Sequence, residues 1–231
     1  MNKMSMPLEL IDSKRERAIR IIHLLRSAVK PLVKPLIHTL EDEFGHDPFI
    51  VLISCLLSLR AKDTATYPVC QQLFKKARTP AQLLALSSKE LETLFYTIGF
   101  YRTKARLVHA VSKEIIERFG GKVPATKAEL LSIKGVGPKT ANLVLSEGFG
   151  IPAICVDTHV HRISNRLGLV STKTPEQTER ELMELLPQEY WREINYLLVI
   201  WGQNICVPLS PRCSVCAIEP ECPQIGVLRK R

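Results

Sequence analysis

Three stretches of this chain carry residues whose types and spacing suit chemistry. The first is Leu131-Ser-Ile-Lys-Gly-Val-Gly-Pro-Lys-Thr-Ala141. Gly135 and Gly137 bracket one apolar residue, Val136, between two helical patterns. Glycine permits a sharp turn with φ > 0 and lets another molecule approach the backbone closely. Pro138 suits the first turn of the helix that follows. A helix–hairpin–helix built this way leaves free N–H groups at a helix N-terminus. Such groups seat a phosphate oxygen and position a ligand without reading its sequence. Lys139 lies in the first turn of the second helix, where the positive end of the dipole disfavours an ammonium. The free amine is a nucleophile that can form a Schiff base. Plain contact with phosphate is the competing role for the same side chain.

The second stretch is Val156-Asp-Thr-His159. Asp157 follows the apolar Ile154 and Val156 and precedes the helical spacing of Val160, Ile163 and Leu167, so it is expected to cap a helix. It is also the candidate partner of Lys139, although capping alone is the usual role of an isolated Asp at such a position. His159 and His161 are expected to be hydrogen-bonded structural histidines. The third stretch holds four of the seven cysteines, Cys206, Cys213, Cys216 and Cys222, with six, two and five residues between them. An odd cysteine count without an export signal argues against disulfides and for metal or cluster ligation. Cys55, Cys70 and Cys155 are scattered and are expected to act as small buried hydrophobes.

Composition narrows the setting. The chain has 231 residues, enough for one large domain or two small ones. A 45% hydrophobic and 24% charged composition is that of a soluble globular protein. A net charge of +9 points to a polyanionic partner, most often nucleic acid. The longest mainly apolar run, Phe49 to Leu59, is too short to span a bilayer. Met1 to Ser13 has neither the apolar core of an export signal nor the Arg-rich, acid-poor character of a transit segment. No membrane partner is expected, and a cytoplasmic location follows if the source is prokaryotic.

The elements that must position these residues are helices. Thr79-Pro-Ala-Gln82, Ser87-Ser-Lys-Glu90, Thr126-Lys-Ala-Glu129 and Thr174-Pro-Glu-Gln177 are capping patterns that open segments with apolar residues three and four apart. Asp63 is a further candidate N-cap. Gly99, Gly120-Gly121 and Gly168 fall where helix C-caps belong. No long run alternates with period two. The fold class is all-α, with roughly ten helices of average length. Pro31–Pro35 marks a break after the first helix, and the tail Leu228-Arg-Lys-Arg231 is expected to be frayed.

In combination, the hairpin with Lys139, the Val156-Asp157-Thr158-His159 segment and the cysteine cluster resemble the endonuclease III branch of the helix–hairpin–helix DNA glycosylases. The likeness runs from about Phe49 to Cys222. It implies two helical domains. Residues 41–151 would form a six-helix barrel carrying the hairpin. Residues 1–40 and 152–231 would form a second domain ending in a [4Fe–4S] loop, with duplex DNA in the groove between the two and the protein acting as a monomer. It further implies that Lys139 attacks C1′ of a damaged nucleotide with help from Asp157, that the base leaves, and that β-elimination through a Schiff base nicks the strand. The implied substrates are oxidised pyrimidines, in a nucleotide flipped out of the stack.

The same likeness assigns DNA contacts to Gly135, Val136, Gly137, Thr140 and Arg212, and wedge positions to Arg60 and Phe100. The first wedge is usually Gln in the family, so Arg60 departs from its pattern, as does Phe100. The cysteine spacing fits the family's [4Fe–4S] loop. Zinc ribbons instead usually offer two Cys-x-x-Cys knuckles, and here there is one, Cys213-Ser-Val-Cys216. An adenine-removing relative of the same fold usually lacks the hairpin lysine, carries a carboxylate before the first wedge and adds a C-terminal domain. Lys139 is present, and Phe49 to Lys62 contains no Asp or Glu. A non-catalytic iron–sulfur DNA-binding or redox-sensing module would need no Lys139 together with Asp157.

Overall fold

All four Ser/Thr capping patterns open helices. The side chains of Thr79, Ser87, Thr126 and Thr174 each accept a hydrogen bond from the N–H three residues on. At Ser87 the Glu90 carboxylate returns to the Ser87 N–H at 2.8 Å and closes the box. Each cap satisfies a donor that the first turn would leave orphaned. The computed structural model describes residues 8–231, with side chains from residue 11. Met1 to Pro7, part of the stretch expected to hold no leader, lies outside the described residues.

Among the described residues the chain is helical, without a β-strand. In order, the α-helices are α1 (Leu8–Ala28), α2 (Leu36–Phe44), α3 (Pro48–Ser58), α4 (Asp63–Lys76), α5 (Pro80–Ala85), α6 (Ser88–Phe95), α7 (Tyr101–Phe119), α8 (Lys127–Ser132), α9 (Pro138–Leu143), α10 (Thr158–Arg166), α11 (Pro175–Leu185) and α12 (Trp191–Asn204). The number exceeds the expected ten because α5, α8 and α9 have only six residues each. Helix α9 runs on into a π-helical turn, Val144–Gly148. The chain divides into two units, Met1–Val33 with Ile154–Arg231, and Lys34–Ala153.

The Lys34–Ala153 unit is organised on α3. Every residue from Phe49 to Leu57 is buried, as a helix apolar on all sides must be. The apolar run that is too short for a membrane is therefore a core helix. Asp47 caps it, with Oδ1 accepting from the N–H groups of Phe49 (2.7 Å) and Ile50 (3.1 Å). Helices α4, α7 and α9 and the π-turn pack against it. Gly148 brings the π-turn onto the start of α3: a Cβ there would lie 2.7 Å from the Pro48 Cα. Cys55 and Cys70 are buried in this core, as expected.

Two local expectations are corrected. Asp63 is the first residue of α4, after an N-cap at Lys62, and its Oδ2 accepts from the Leu36 N–H at 3.3 Å. It ties the start of α4 to the start of α2. Gly120 takes the left-handed cap of α7 (φ 62°) as expected, but before α7 the left-handed residue is Phe100 (φ 61°) and not Gly99.

In the other unit α1, α10 and α12 pack through Ile21, Ile22, Val160, Ile163, Leu198 and Trp201. Cys155 is buried. The tail is not frayed. The Arg231 N–H donates to Pro211 O (3.0 Å) and its carbonyl accepts from the Ser214 N–H (3.0 Å), which pins the chain end to the cysteine segment.

The close approach at Gly148 predicts that Gly148→Ala lowers stability by about 1–3 kcal/mol through overpacking. At Gly99 an added Cβ meets nothing within 4 Å, so Gly99→Ala stays within about 0.5 kcal/mol of wild type. Urea unfolding of the two variants checks this; equal midpoints would contradict it.

Candidate active site and cysteine recess

The hairpin between α8 and α9 is fixed from below and open above. Ile133 and Val136 are buried, and the Val136 N–H donates to Ile133 O at 3.0 Å to close the turn. The Glu114 carboxylate accepts from the Lys134 N–H (3.2 Å), and Arg118 bridges that carboxylate to the Ser132 hydroxyl (2.8 Å). These bonds anchor the turn to α7. The two glycines do different work. Gly135 has φ 96°, and a Cβ there would sit 2.5 Å from a Leu107 methyl, so it is required by the left-handed turn and by packing. Gly137 is extended, and a Cβ there would meet nothing within 4 Å. Its face is clear for another molecule.

Among the described residues the N–H groups of Gly135 and Gly137 donate to no protein acceptor. Thr140 is buried, so its hydroxyl faces inward. Lys139, two residues beyond the open glycine, is exposed. The Cys55 thiol on α3 marks the ground beneath it. Burial pushes that thiol up to about 12, the positive charge of Lys139 opposes the shift, and Glu147 and Asp63 add to it.

Asp157 occupies the N-cap of α10, as expected. Its Oδ1 accepts from the N–H groups of His159 (2.8 Å) and Val160 (2.9 Å), and the residue is half-buried. His161 is structural, with Nδ1 2.7 Å from the Thr178 hydroxyl. His159 lies tightly against α12, where a Cβ on Gly202 would be 2.5 Å from its Nδ1. Lys139 and Asp157 belong to different units, each held by its own.

Among the described residues four that are not glycine have positive φ: Arg60 (54°), Phe100 (61°), Ser210 (52°) and Gln224 (56°). The first two are the expected wedge positions, and both are exposed. Ser210 lies within the cysteine segment and Gln224 two residues after it. Left-handed backbone costs a residue with a Cβ roughly 1–2 kcal/mol, and it persists where surrounding structure enforces it, often at functional sites. Next to Phe100, the Tyr101 ring stands edge-on to Tyr96 at 5.4 Å, and the Arg102 guanidinium lies over the Tyr101 ring at 5.2 Å.

Cys206, Cys213, Cys216 and Cys222 line one largely apolar recess with Ile163, Leu167, Trp201 and Ile218. Among the described residues no three cysteine sulfurs lie within 4.8 Å of one another. A single Zn²⁺ with four thiolates about 2.3 Å away would need sulfurs about 3.8 Å apart. Burial pushes the Cys216 and Cys222 thiols up, and the neighbouring cysteines add to the shift.

Sequence reasoning missed the side chain that organises this recess. Arg166, buried at the end of α10, donates to Cys206 Sγ (3.3 Å), Val207 O (2.8 Å) and Pro208 O (2.7 Å). Arg162 donates to Cys206 O (2.8 Å), and burial lowers its pKa. Both arginines fall four apart on α10, a signal that two cations share one helix face. Arg212 is exposed at the rim of the recess.

Comparison with known proteins fits this geometry. Residues 53–188 match the HhH-GPD superfamily base excision DNA repair protein family. The chain is 47% identical to the endonuclease III of Thermotoga maritima over 76% of its own length and 83% of that protein. It superposes on a solved non-covalent endonuclease III–DNA complex with a TM-score of 0.80 and 33% identity, covering 91% of this chain and 95% of that one. It superposes on a trapped endonuclease III–DNA covalent intermediate with a TM-score of 0.74 and 34% identity, covering 89% and 95%. The helical fold, the capped hairpin and these likenesses agree: the chain belongs to the HhH-GPD superfamily of base excision DNA repair proteins.

Proposed function

We propose that this protein is a DNA glycosylase and abasic-site lyase of base excision repair, acting on oxidised pyrimidines in duplex DNA. One observation carries the reading: an exposed lysine stands two residues beyond an open glycine, in a turn where the Gly135 and Gly137 N–H groups donate to no protein acceptor among the described residues. A phosphate seated at Gly135–Gly137, with backbone contacts extending to Val136 and Thr140, would set the sugar beside Lys139 and hold it there.

The chemistry follows from that placement. The Lys139 Nζ lone pair attacks C1′ as the C1′–base bond breaks; the base leaves with the bonding electrons and takes up a proton. The amine then gives up a proton as the C1′–O4′ bond opens, which leaves a protonated imine. Loss of a C2′ proton expels the 3′-phosphate and nicks the strand, and water hydrolyses the imine to restore the amine. With Oδ1 of Asp157 committed to the cap, Oδ2 is the oxygen that balances positive charge on the sugar or receives a proton. Arg60 and Phe100 fill the gap left by the flipped nucleotide, a long cation and a ring that can both stack. Arg212 contacts a DNA phosphate. In a prokaryotic cell this work lies in the cytoplasm.

The four cysteines of the recess would hold a [4Fe–4S] cluster. The sulfur separation favours it over a single zinc ion, as does the apolar lining. Cys206, Cys213, Cys216 and Cys222 would hold it beside the Arg166 guanidinium, which already donates to Cys206 Sγ and would meet the cluster's charge.

Duplex DNA with one oxidised pyrimidine tests the reading. The wild-type protein is expected to release the base and nick the strand, and Lys139→Gln to lose nicking altogether. A Lys139→Gln protein that nicks at the wild-type rate would overturn it. Asp157 is tested separately. Asn caps as well as Asp, so Asp157→Asn keeps stability within about 0.5 kcal/mol while base excision falls on the order of a hundredfold or more. Asp157→Ala loses the cap as well, about 1 kcal/mol. Single-turnover kinetics with urea midpoints separates the effects; full activity in Asp157→Asn would reduce the residue to a helix cap.

A further inference from the structure

We propose that His38, Glu41 and Glu147 form a site for one divalent transition-metal ion of the zinc type, which clasps α2 to the π-turn. His38 and Glu41 stand three residues apart on one face of α2. Glu147 comes from the turn that extends α9. One ligating atom from each lies within 4.8 Å of the others, and His38 Nε2 is 3.5 Å from Glu147 Oε2. A tetrahedral ion with bonds of 2.0–2.2 Å needs donors about 3.3–3.6 Å apart, so this pair is already at the required spacing.

Burial sharpens the argument. The Glu147 side chain is 0% exposed and that of Glu41 8%. Two carboxylates this close repel, and withdrawing them from water is costly unless their charge is met. His38 faces Glu147 and His46 faces Glu41, and a divalent ion held among His38, Glu41 and Glu147 would balance both carboxylates at one point. The surroundings orient the donors. The Ser146 hydroxyl donates to Glu147 Oε1 at 3.2 Å, and His46 Nδ1 is 3.3 Å from Glu41 Oε1. Such outer partners hold ligands in position around a metal.

The donor set selects the ion. An imidazole nitrogen with two carboxylates suits zinc better than magnesium or calcium, which favour oxygen alone. Three protein ligands leave a position for water. The clasp would join the first helix of its unit to the end of the element whose first turn holds Lys139. Bound metal would thus make the Lys139 helix harder to displace, without touching a reacting atom.

The test uses the full-length, iron-loaded protein, treated with EDTA and then titrated with zinc chloride. Isothermal titration and elemental analysis are expected to find one zinc per chain beyond the iron. At a hundredfold excess over Kd, Tm rises by roughly 5 °C or more, and magnesium chloride gives no such rise. His38→Gln, at a half-buried position, weakens zinc binding on the order of a hundredfold or more with iron content unchanged. Glu147→Gln does the same, and if it fails to fold, His38→Gln decides alone. No zinc bound by wild type overturns the proposal and leaves the three residues as a hydrogen-bonded group. Equal binding by wild type and His38→Gln overturns it too, because zinc at the cysteines would ignore that change.

Discussion

Helix α3 buries every side chain from Phe49 to Leu57, so the helices of its unit must supply apolar surface on all its sides. A buried Leu, Ile or Val contributes about 1.5–3 kcal/mol relative to an exposed one, and a charge introduced anywhere along that run would be withdrawn from water without a partner. The constraint fixes more than stability. Arg60 stands just beyond the end of α3, Phe100 caps α7, and Lys139 begins α9. Both α7 and α9 pack on α3. The proposed nucleophile and both wedge candidates are therefore carried by elements registered against one helix.

Among the described residues, left-handed backbone outside glycine falls at four positions. Arg60 and Phe100 are left-handed although neither is glycine, and the same holds for Ser210 and Gln224 beside the cysteines. A glycine would relieve the backbone at each position but would supply no side chain to fill a gap in a base stack. At the hairpin the balance reverses. Gly135 is favoured by its left-handed φ of 96°, with a Leu107 methyl close by, whereas at Gly137 a Cβ would meet nothing within 4 Å. The hairpin and the wedge loops thus resolve the same conflict between backbone freedom and side-chain function in opposite ways.

Much of this was legible in the sequence where the physics is local. N-capping depends on one side chain and an N–H two or three residues away, so the four Ser/Thr caps and Asp157 could be read directly. The cysteine spacing and the Gly-Val-Gly turn are local as well. What escaped depends on distant partners. Asp63 was expected as a cap, but its carboxylate reaches the Leu36 N–H across 27 positions. The tail was expected to fray because nothing in Leu228–Arg231 signals its bonds to Pro211 and Ser214. Arg166 meets the cysteine loop 40 or so residues away. Glu147 follows an apolar run, and only the fold shows it buried beside His38. The left-handed residue at Phe100, rather than at Gly99, runs against local preference, which favours glycine there.

The central claim is that Lys139 is the nucleophile, and a covalent trap tests it most directly. The measurement is borohydride reduction of the protein on a duplex containing one oxidised pyrimidine, with the adduct mapped by mass spectrometry. The account predicts one reduced secondary amine joining Lys139 to the sugar, absent from Lys139→Gln. An adduct mapped to another residue, or none from folded, iron-loaded wild type, would contradict it.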